Sequence, residues 1–231
     1  MNVAVILCAG SGSRFDKHKP KQLHDLNGRP VLSYSLRTFS DNHVIDAIVV
    51  VTKKEIIDDT AKMAKQFKKV VGIVAGGERR QDSVYNGLKW IKGNIKACAF
   101  VFIHDSARPL VSTNLITKLY EDVLEKKAII PIIDSEDTLK QVSNNLVEHT
   151  VDRSKIVRVQ TPQVFNFDLI LDAYNKFPKD VLASDDSYVV EYSGAKVFCV
   201  KGEKSNIKLT HPSDLELMEY YEKNRNRDRL R

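Results

Sequence analysis

The sequence predicts an α/β domain with a doubly wound, mostly parallel sheet that is covered by helices on both faces. Short, almost continuously apolar segments recur along the chain, which is typical of strands buried on both faces. Segments with apolar residues at helical spacing separate them. A polar stretch at 136–151 interrupts this alternation and predicts a β-hairpin arm that protrudes from the sheet.

The elements follow one another in a regular order. Predicted strands cover residues 2–7, 45–51, 70–74, 97–104, 128–133 and 196–200. Predicted helices cover residues 30–39, 54–68, 81–91, 114–126 and 168–175, and two more begin near Ser184 and His211. In a doubly wound sheet, ligands bind beyond the carboxyl ends of the strands. The loops that follow Leu7, Val74, His104 and Ile133 are therefore the candidate functional loops.

The arm consists of two short strands around a turn at 143–145. An isolated hairpin is marginally stable, and this one is too polar to be a core element. We therefore expect the arm at 136–151 to pack against a partner, most simply its own copy in a homodimer.

Length and charge favour one ordinary globular domain. With 231 residues the chain is long enough to bury a full-sized core, and we assign residues 1–222 to a single domain. The formal net charge is +6, but residues 223–231 carry five cations against Asp228 alone. The basic balance therefore belongs mostly to a tail that we expect to be frayed, and no nucleic acid is predicted as a partner.

Cysteine usage and hydropathy predict a cytoplasmic protein. Cys8, Cys98 and Cys199 each lie in an apolar segment without metal-ligand spacing, which predicts buried, reduced thiols. No segment approaches 18 consecutive apolar residues, and the first residues do not resemble a signal peptide. We expect no membrane association.

The first loop has the composition of a polyphosphate site. Gly10 and Gly12 allow the backbone N–H groups to approach a ligand closely. Four cations follow within eight residues, offset only by Asp16: Arg14, Lys17, Lys19 and Lys21. The dinucleotide-binding and P-loop glycine patterns are both absent. Taken alone, the loop is equally compatible with an ordinary turn that carries solvated charges.

Later loops supply further candidates. Gly76 and Gly77 precede a helix that Asp82 or Ser83 is predicted to cap. Asp105 ends a strand, where a carboxylate can ligate a metal or merely cap a turn. His104 is interpreted as a structural residue. Ser184 is interpreted as a helix cap, with Asp185 and Asp186 in the first helical turn.

Seven stretches together resemble the cytidylyltransferases that act on 2-C-methyl-D-erythritol 4-phosphate, and their relatives that act on ribitol 5-phosphate. The stretches occur in order from end to end of the chain. They are residues 9–14 with 20–22, 76–77 with 80–83, 104–109, 137–138, 160–165, 184–186 and 206–210.

The resemblance implies a Rossmann-like nucleotidyltransferase that joins CTP to a sugar-alcohol phosphate and releases pyrophosphate. It also implies a divalent cation, usually Mg²⁺, and dimerisation through the arm. The implied acceptor is 2-C-methyl-D-erythritol 4-phosphate, as in isoprenoid precursor synthesis. Ribitol 5-phosphate, with CDP-ribitol as product, is the alternative, and a nucleotide-binding module without chemistry is a further one.

The resemblance also implies roles for individual residues. The triphosphate would be held by Ala9, Gly10, Gly12, Arg14 and Lys21. The cytosine would contact Gly77, Glu78 and Ser83, and Ser106 would lie near the phosphates with the metal ligand Asp105. The acceptor phosphate would face Thr138, Arg153, Ser184 and Lys208, the first two reaching across from a second subunit. Arg14, Lys21 and Lys208 would be the catalytic cations.

Overall fold

A mixed eight-stranded sheet forms the centre of the molecule. The computed structural model describes residues 1–10, 15 and 20–228, with the side chains described as far as residue 224. The strands are β1 (Asn2–Cys8), β2 (Asp25–Leu26), β3 (Arg29–Pro30), β4 (Ala47–Thr52), β5 (Val70–Ala75), β6 (Phe100–Asp105), β7 (Ala128–Asp134), β8 (Lys140–Ser143), β9 (Leu146–Thr150), β10 (Val157–Val159), β11 (Gln163–Asn166) and β12 (Phe198–Lys201).

Seven α-helices occur in the part of the chain that is described. They are α1 (Val31–Asp41), α2 (Ile57–Ala64), α3 (Arg80–Asn94), α4 (Thr113–Lys126), α5 (Phe167–Lys176), α6 (Asp186–Tyr192) and α7 (Ser213–Asp228). Short 3₁₀ helices form at Lys21–Leu23, Lys54–Ile56 and Arg153–Lys155.

Strand β1 is the axis of the sheet. It pairs in parallel with β4 on one side and with β6 on the other, and β5 continues the parallel sheet beyond β4. The chain moves outward from β1 through β4 to β5 and then returns to β6 on the opposite side. This change of direction creates a topological switch point at β1, where ligands bind in open α/β sheets.

The other half of the sheet is mixed. Strand β11 is antiparallel to both β6 and β7, and β10 is antiparallel to β7, whereas β12 is parallel to β7. The predicted doubly wound α/β class is confirmed, with the antiparallel pairs confined to this half. Strand β10 was not predicted, because its three residues are mostly exposed and have no clear apolar pattern.

Alternating side chains of β1 fill two separate cores, one on each face of the sheet. Val3, Val5 and Leu7 belong to the core formed with α3, α5 and α6. Ala4, Ile6 and Cys8 belong to the core formed with α1 and α4. Because successive residues of a strand point to opposite faces, a strand buried on both sides must be apolar throughout. This explains the continuous hydrophobic segment at the start of the sequence.

Several details differ from the sequence-based expectations. Helix α7 continues to Asp228, past residue 223, where a frayed tail was predicted to begin. Cys8 is buried and Cys98 is half-buried, but Cys199 is exposed because β12 is short and pairs only with β7. The prediction of buried thiols is therefore wrong for Cys199. No helix among the described residues is both long and apolar enough to span a membrane.

The hairpin arm is present as predicted. Strands β8 and β9 pair only with each other, and every residue of both strands is exposed. Asn144 and Asn145 connect them with positive φ angles of 49° and 65°, which is the geometry of a two-residue hairpin turn. Val142, Leu146 and Val147 are each more than half exposed on the arm. These apolar side chains have no partner surface within the described chain.

Edge strand β5 contains a close approach that only glycine permits. A Cβ atom on Gly72 would lie 2.5 Å from Cη2 and Cζ2 of Trp90, which packs over the strand from α3. Displacing a bulky core side chain of this kind costs about 1–3 kcal/mol. We expect Gly72→Ala to lower the free energy of unfolding by this amount, as measured by urea denaturation.

Gly93 is the matched control for this substitution. It lies on the same helix as Trp90, but a Cβ atom there would meet nothing within 4 Å. Gly93→Ala should be neutral or raise the free energy of unfolding by up to about 1 kcal/mol, because alanine favours the helix. Equal effects of the two substitutions would contradict the packing argument.

Candidate active site

A cavity of about 690 Å³ opens beyond the carboxyl ends of β6, β1, β4 and β5. Its walls come from the loops that follow these four strands: residues 9–10, 53–55, 76–80 and 105–107. Leu7, Lys21, Gln22, Ser83 and Lys208 also line it. The size lies within the range of small-ligand sites, and the position is the switch point defined by the strand order.

Positive charge dominates the described lining of this cavity. Six basic side chains face three acidic ones there: Lys21, Lys53, Lys54, Arg79, Arg80 and Lys208 against Glu55, Glu78 and Asp105. A concave, partly desolvated surface with excess positive charge attracts anions. The cavity is therefore suited to a ligand with several negative charges.

The loop between β5 and α3 is held in a tight conformation. A Cβ atom on Gly76 would lie 2.6 Å from Cβ of Ala9, and one on Gly77 would lie 2.4 Å from Cβ of Asp82. Both positions therefore require glycine. The Ser83 hydroxyl accepts a hydrogen bond from the Gly77 N–H at 3.0 Å and is buried. Ser83 thus fixes the loop that forms the cavity wall.

Helix α3 begins one residue earlier than predicted, and its cap also differs. Arg79 is the N-cap residue, and its backbone N–H donates to the Asp82 carboxylate at 3.1 Å. The Arg79 guanidinium donates to the same carboxylate, with Nε 2.9 Å from Oδ2. Asp82 therefore supports the first turn from its third position, and neither Asp82 nor Ser83 is the cap residue itself.

Asp105 is the buried carboxylate of the site. Its Oδ1 accepts from Arg80 Nε at 3.2 Å, and its Oδ2 accepts from Lys208 Nζ at 2.6 Å. Burial alone would raise the pKa of Asp105, but the charges of Arg80 and Lys208 hold it well below its usual range. The carboxylate is therefore ionised at neutral pH, and both of its oxygens are engaged.

Lys21 and Lys208 approach the cavity from opposite ends of the sequence. Lys21 Nζ donates to the backbone carbonyl of Leu209 at 2.8 Å, next to Lys208. The Gln22 side chain donates to the backbone carbonyl of Cys8 at 2.9 Å. These two bonds attach the segment around Lys21 both to the end of β1 and to the loop before α7.

His104 is a structural residue, as predicted. Its Nε2 lies 3.1 Å from the Arg108 carbonyl, and its Nδ1 lies 3.1 Å from the Thr161 hydroxyl, which also accepts from the Asp105 N–H. A neutral ring with its proton on Nε2 satisfies all three groups. Burial lowers the pKa of His104 to about 4, which agrees with a neutral imidazole.

The described residues contain no cluster of three or more His, Cys, Asp or Glu side chains able to hold a metal ion. Asp105 is a hard oxygen ligand on a rigid strand end. Mg²⁺ is commonly bound by one or two carboxylates together with substrate phosphates and water. The chain therefore fits an Mg²⁺ ion that is shared with a phosphorylated ligand, but it does not form a complete metal site by itself.

Most of the predicted site residues lie together. The cavity lining contains Ala9, Gly10, Lys21, Gly77, Glu78, Ser83, Asp105, Ser106 and Lys208. The Ser106 hydroxyl donates to the Leu7 carbonyl at 2.7 Å, so it also joins β6 to β1. Gly12 and Arg14 lie outside the described residues.

Three predicted acceptor residues do not line this cavity. Thr138 and Arg153 are exposed at the base of the arm, and Arg153 Nη1 donates to the Glu136 carbonyl at 2.6 Å.

Ser184 is exposed before α6 and does not cap it, since Asp185 accepts from the Tyr188 N–H. Asp186 lies in the first turn of α6 as predicted, whereas Asp185 is the cap and not a first-turn residue. Asp186 is in addition fully buried and pairs with Arg80 at 2.7 Å.

Sequence reasoning missed six polar residues of the lining: Gln22, Lys53, Lys54, Glu55, Arg79 and Arg80. Lys53 and Lys54 directly follow β4. The rule that ligands bind beyond strand ends would have indicated them if it had been applied to that strand. No local pattern indicates that Arg80 pairs with carboxylates 25 and 106 residues further along the chain.

Fold and cavity together define a Rossmann-like α/β protein whose switch-point site suits a polyanionic ligand. Comparison with known proteins identifies the family. The model of the 2-C-methyl-D-erythritol 4-phosphate cytidylyltransferase family matches residues 2–224, and the chain belongs to this family. It is accordingly a nucleotidyltransferase, as the seven sequence stretches indicate.

Individual relatives agree with this assignment. The 2-C-methyl-D-erythritol 4-phosphate cytidylyltransferase of Clostridium beijerinckii is 39% identical over 96% of this chain and 98% of that protein. The one from Clostridium botulinum is 40% identical over 94% and 97%. The crystal structure of 4-diphosphocytidyl-2C-methyl-D-erythritol synthase from Anaerococcus prevotii has a TM-score of 0.84 and 30% identity, and it covers 96% of both chains.

The buried imidazole of His104 predicts a pH dependence of stability. Its pKa of about 4 in the folded protein lies below the value near 6.5 expected for the unfolded chain. Its contribution to stability is therefore present above about pH 6.5 and is lost as the pH falls towards 4. Over this range the loss should be on the order of 3 kcal/mol in the free energy of unfolding.

Urea denaturation of the wild type and His104→Gln over this pH range tests the prediction. Other titrating groups are common to both proteins, so the difference between their free energies of unfolding isolates the imidazole. This difference should shrink as the pH falls. A difference that is constant with pH would contradict the prediction.

Proposed function

We propose that this protein transfers the cytidylyl group of CTP to 2-C-methyl-D-erythritol 4-phosphate, giving the CDP-linked sugar alcohol and pyrophosphate. The observation that carries the proposal is the cation-lined cavity around Asp105 in a chain of this family. The relatives reported above are all named for the methylerythritol substrate or product, which favours this acceptor over ribitol 5-phosphate.

The reaction depends on stabilising negative charge on the phosphates more than on a general base. The second pKa of a phosphomonoester is about 6, so the acceptor oxygen is already anionic at neutral pH. It forms a bond to the α-phosphorus of CTP, and the bond from that phosphorus to the bridging oxygen of pyrophosphate breaks. Negative charge repels the approach of the acceptor and accumulates on the leaving group. Fixed cations and precise positioning are therefore the main sources of catalysis.

The residues that the family resemblance names suit these tasks. Backbone N–H groups near Ala9, Gly10 and Gly12 would contact the triphosphate, and Arg14 and Lys21 would stabilise its developing charge. Gly77 and Glu78 would face the cytosine. Ser83 supports this wall through its bond to Gly77, so its contribution would be to hold the wall in place.

An Mg²⁺ ion would be shared between Asp105 and the phosphates, where it would neutralise charge on the transferred group. Both Asp105 oxygens are paired with cations in the ligand-free chain. Lys208 contacts only Asp105 among the described side chains, so it is the cation more easily released towards a phosphate of the ligand.

The acceptor site would be completed by a second subunit. Thr138 and Arg153 lie on the exposed base of the arm and do not line the cavity of their own chain. The exposed apolar residues Val142, Leu146 and Val147 give the arm a surface suited to its own copy. We therefore propose a homodimer, in which Thr138 and Arg153 face the acceptor phosphate bound to the partner. The free thiols agree with a cytoplasmic location.

A pyrophosphate-release assay tests the activity directly. Each of the four nucleoside triphosphates is combined with the 4-phosphates of methylerythritol and erythritol and with ribitol 5-phosphate, in the presence and absence of Mg²⁺. Release should require CTP, Mg²⁺ and the methylerythritol acceptor. Faster release with ribitol 5-phosphate would change the acceptor assignment. Measurable CTP binding without release from any acceptor would indicate a nucleotide-binding module.

Removal of one of the cationic side chains proposed to contact the triphosphate should strongly reduce turnover. Loss of a fixed positive charge aimed at the transition state lowers kcat by about 10²–10³-fold, and we expect this for Lys21→Ala and for Arg14→Ala. The exposed Lys62 on α2 is a matched control, because its ion-pair partner among the described residues is Asp59 on its own helix, at 3.7 Å. A decrease of about tenfold or less in either site variant would remove that residue from the catalytic set.

Arg153 should affect a different step. If it contacts the acceptor phosphate across the dimer, Arg153→Ala should raise KM for the methylerythritol phosphate while the affinity for CTP remains unchanged. Calorimetric titration with each ligand separately measures this. Arg158→Ala is the control, since Arg158 is also exposed and, within the described part of the chain, donates to the Asp134 carbonyl nearby. A monomer in light scattering at micromolar concentration would refute the cross-subunit role.

A further inference from the structure

Arg80 lies between two carboxylates that come from different parts of the fold. Its Nε donates to Asp105 Oδ1 at 3.2 Å at the end of β6, and its Nη2 donates to Asp186 Oδ2 at 2.7 Å at the start of α6. The Arg80 side chain retains 29% exposure to the cavity, whereas the Asp186 side chain has none. Asp186 is therefore behind Arg80 as seen from the cavity, and it does not reach the ligand space.

Asp186 is itself held firmly in place. Its Oδ1 accepts from the hydroxyl of Tyr174 on α5 at 2.7 Å, and its backbone N–H donates to Gln163 Oε1 at 3.1 Å. The side chains of Asp186 and Tyr174 are both buried. A continuous line of hydrogen bonds thus runs from Tyr174 through Asp186 and Arg80 to Asp105.

The two cations next to Asp105 are held very differently. Among the described residues Lys208 has one carboxylate partner, whereas Arg80 has two, bound by Nε and Nη2 of the same edge of its guanidinium. A guanidinium with a single carboxylate partner can rotate to form a bidentate pair with it. On Asp105 this rotation would bring Arg80 onto the oxygen that now binds Lys208. Asp186 prevents this because it holds Nη2, the donor that would otherwise reach the second oxygen of Asp105.

We propose that Asp186, oriented by Tyr174, is a positioning residue that holds Arg80 so that one oxygen of Asp105 stays free of Arg80 and pairs with Lys208. This inference rests on the proposed function and adds two residues outside the cavity to the machinery of the reaction. Asp186 acts only through Arg80 and touches neither substrate. Its effect on activity should therefore vanish when Arg80 is replaced.

A simple structural role for Asp186 is the competing explanation. Asp186 is the first residue of α6, and loss of a buried charge partner generally destabilises a protein. A structural role that does not involve Arg80 would reduce activity equally whichever residue stands at position 80, and a structural role of the ion pair would lower Tm in parallel with kcat/KM. The positioning role makes the two effects strongly non-additive, which a double-mutant cycle measures.

The experiment compares the wild type, Asp186→Asn, Arg80→Gln and the double variant. The readouts are kcat/KM for pyrophosphate release from CTP and methylerythritol phosphate, the affinity for CTP by calorimetry, and Tm as a check of folding. We expect Asp186→Asn to lower kcat/KM by about 10–100-fold in the wild-type background. In the Arg80→Gln background it should cause no further loss.

Tyrosine variants provide a milder version of the same test. Tyr174→Phe removes only the hydroxyl that orients Asp186, and it should lower kcat/KM less than Asp186→Asn does. Tyr85 is the matched control: its ring stacks on Tyr174 at 6.0 Å, but its hydroxyl donates to Asn175. Tyr85→Phe should leave kcat/KM unchanged. If Asp186→Asn does not fold, Tyr174→Phe takes its place in the cycle with Arg80→Gln.

Three results would overturn the inference: equal losses in both position-80 backgrounds, no loss in the wild-type background, or equal effects of the two tyrosine substitutions. Failure of the proposed function has a different signature, because the wild type itself would then release no pyrophosphate. In that case the same cycle is evaluated from the affinity for CTP. Coupling between positions 80 and 186 in that affinity would support the positioning role, and its absence would refute it.

Discussion

The carboxylate of Asp105 is shared by two cations from distant parts of the chain, Arg80 at the first residue of α3 and Lys208 in the loop before α7. A buried charge is tolerated only when it is paired and hydrogen-bonded. The fold must therefore bring the end of β6, the start of α3 and the loop before α7 to one point. The same requirement creates a site in which positive charge is already concentrated before any ligand arrives.

The shape of the cavity depends on close contacts as much as on charge. Gly76 and Gly77 allow the β5–α3 loop to approach Ala9 and Asp82. The Ser83 hydroxyl fixes this loop by accepting a hydrogen bond from the Gly77 N–H. Lys21 is attached through its bond to the Leu209 carbonyl. Binding residues that are fixed in advance lose little entropy when a ligand arrives, which favours a reaction controlled by positioning.

The sequence was informative wherever burial imposes a periodic pattern. Strands β1 and β4 and helices α1 and α4 were predicted within a few residues, because each must direct apolar side chains at a core. The antiparallel direction of β10 and β11 was not predictable, since strand pairing is decided by contacts that are distant in sequence. The pairing of Arg80 with Asp186 was missed for the same reason, although the resemblance indicated most of the cavity lining.

Trp90, the sole tryptophan of the chain, gives the site a built-in optical reporter. It lies ten residues after Arg80 on the same helix, a distance of about 15 Å along the helix axis. Its indole ring is wedged against Gly72 on edge strand β5, so a small displacement of α3 would change its surroundings. Any displacement of α3 that accompanies ligand binding would therefore change the intrinsic fluorescence of Trp90, without a label and outside the cavity.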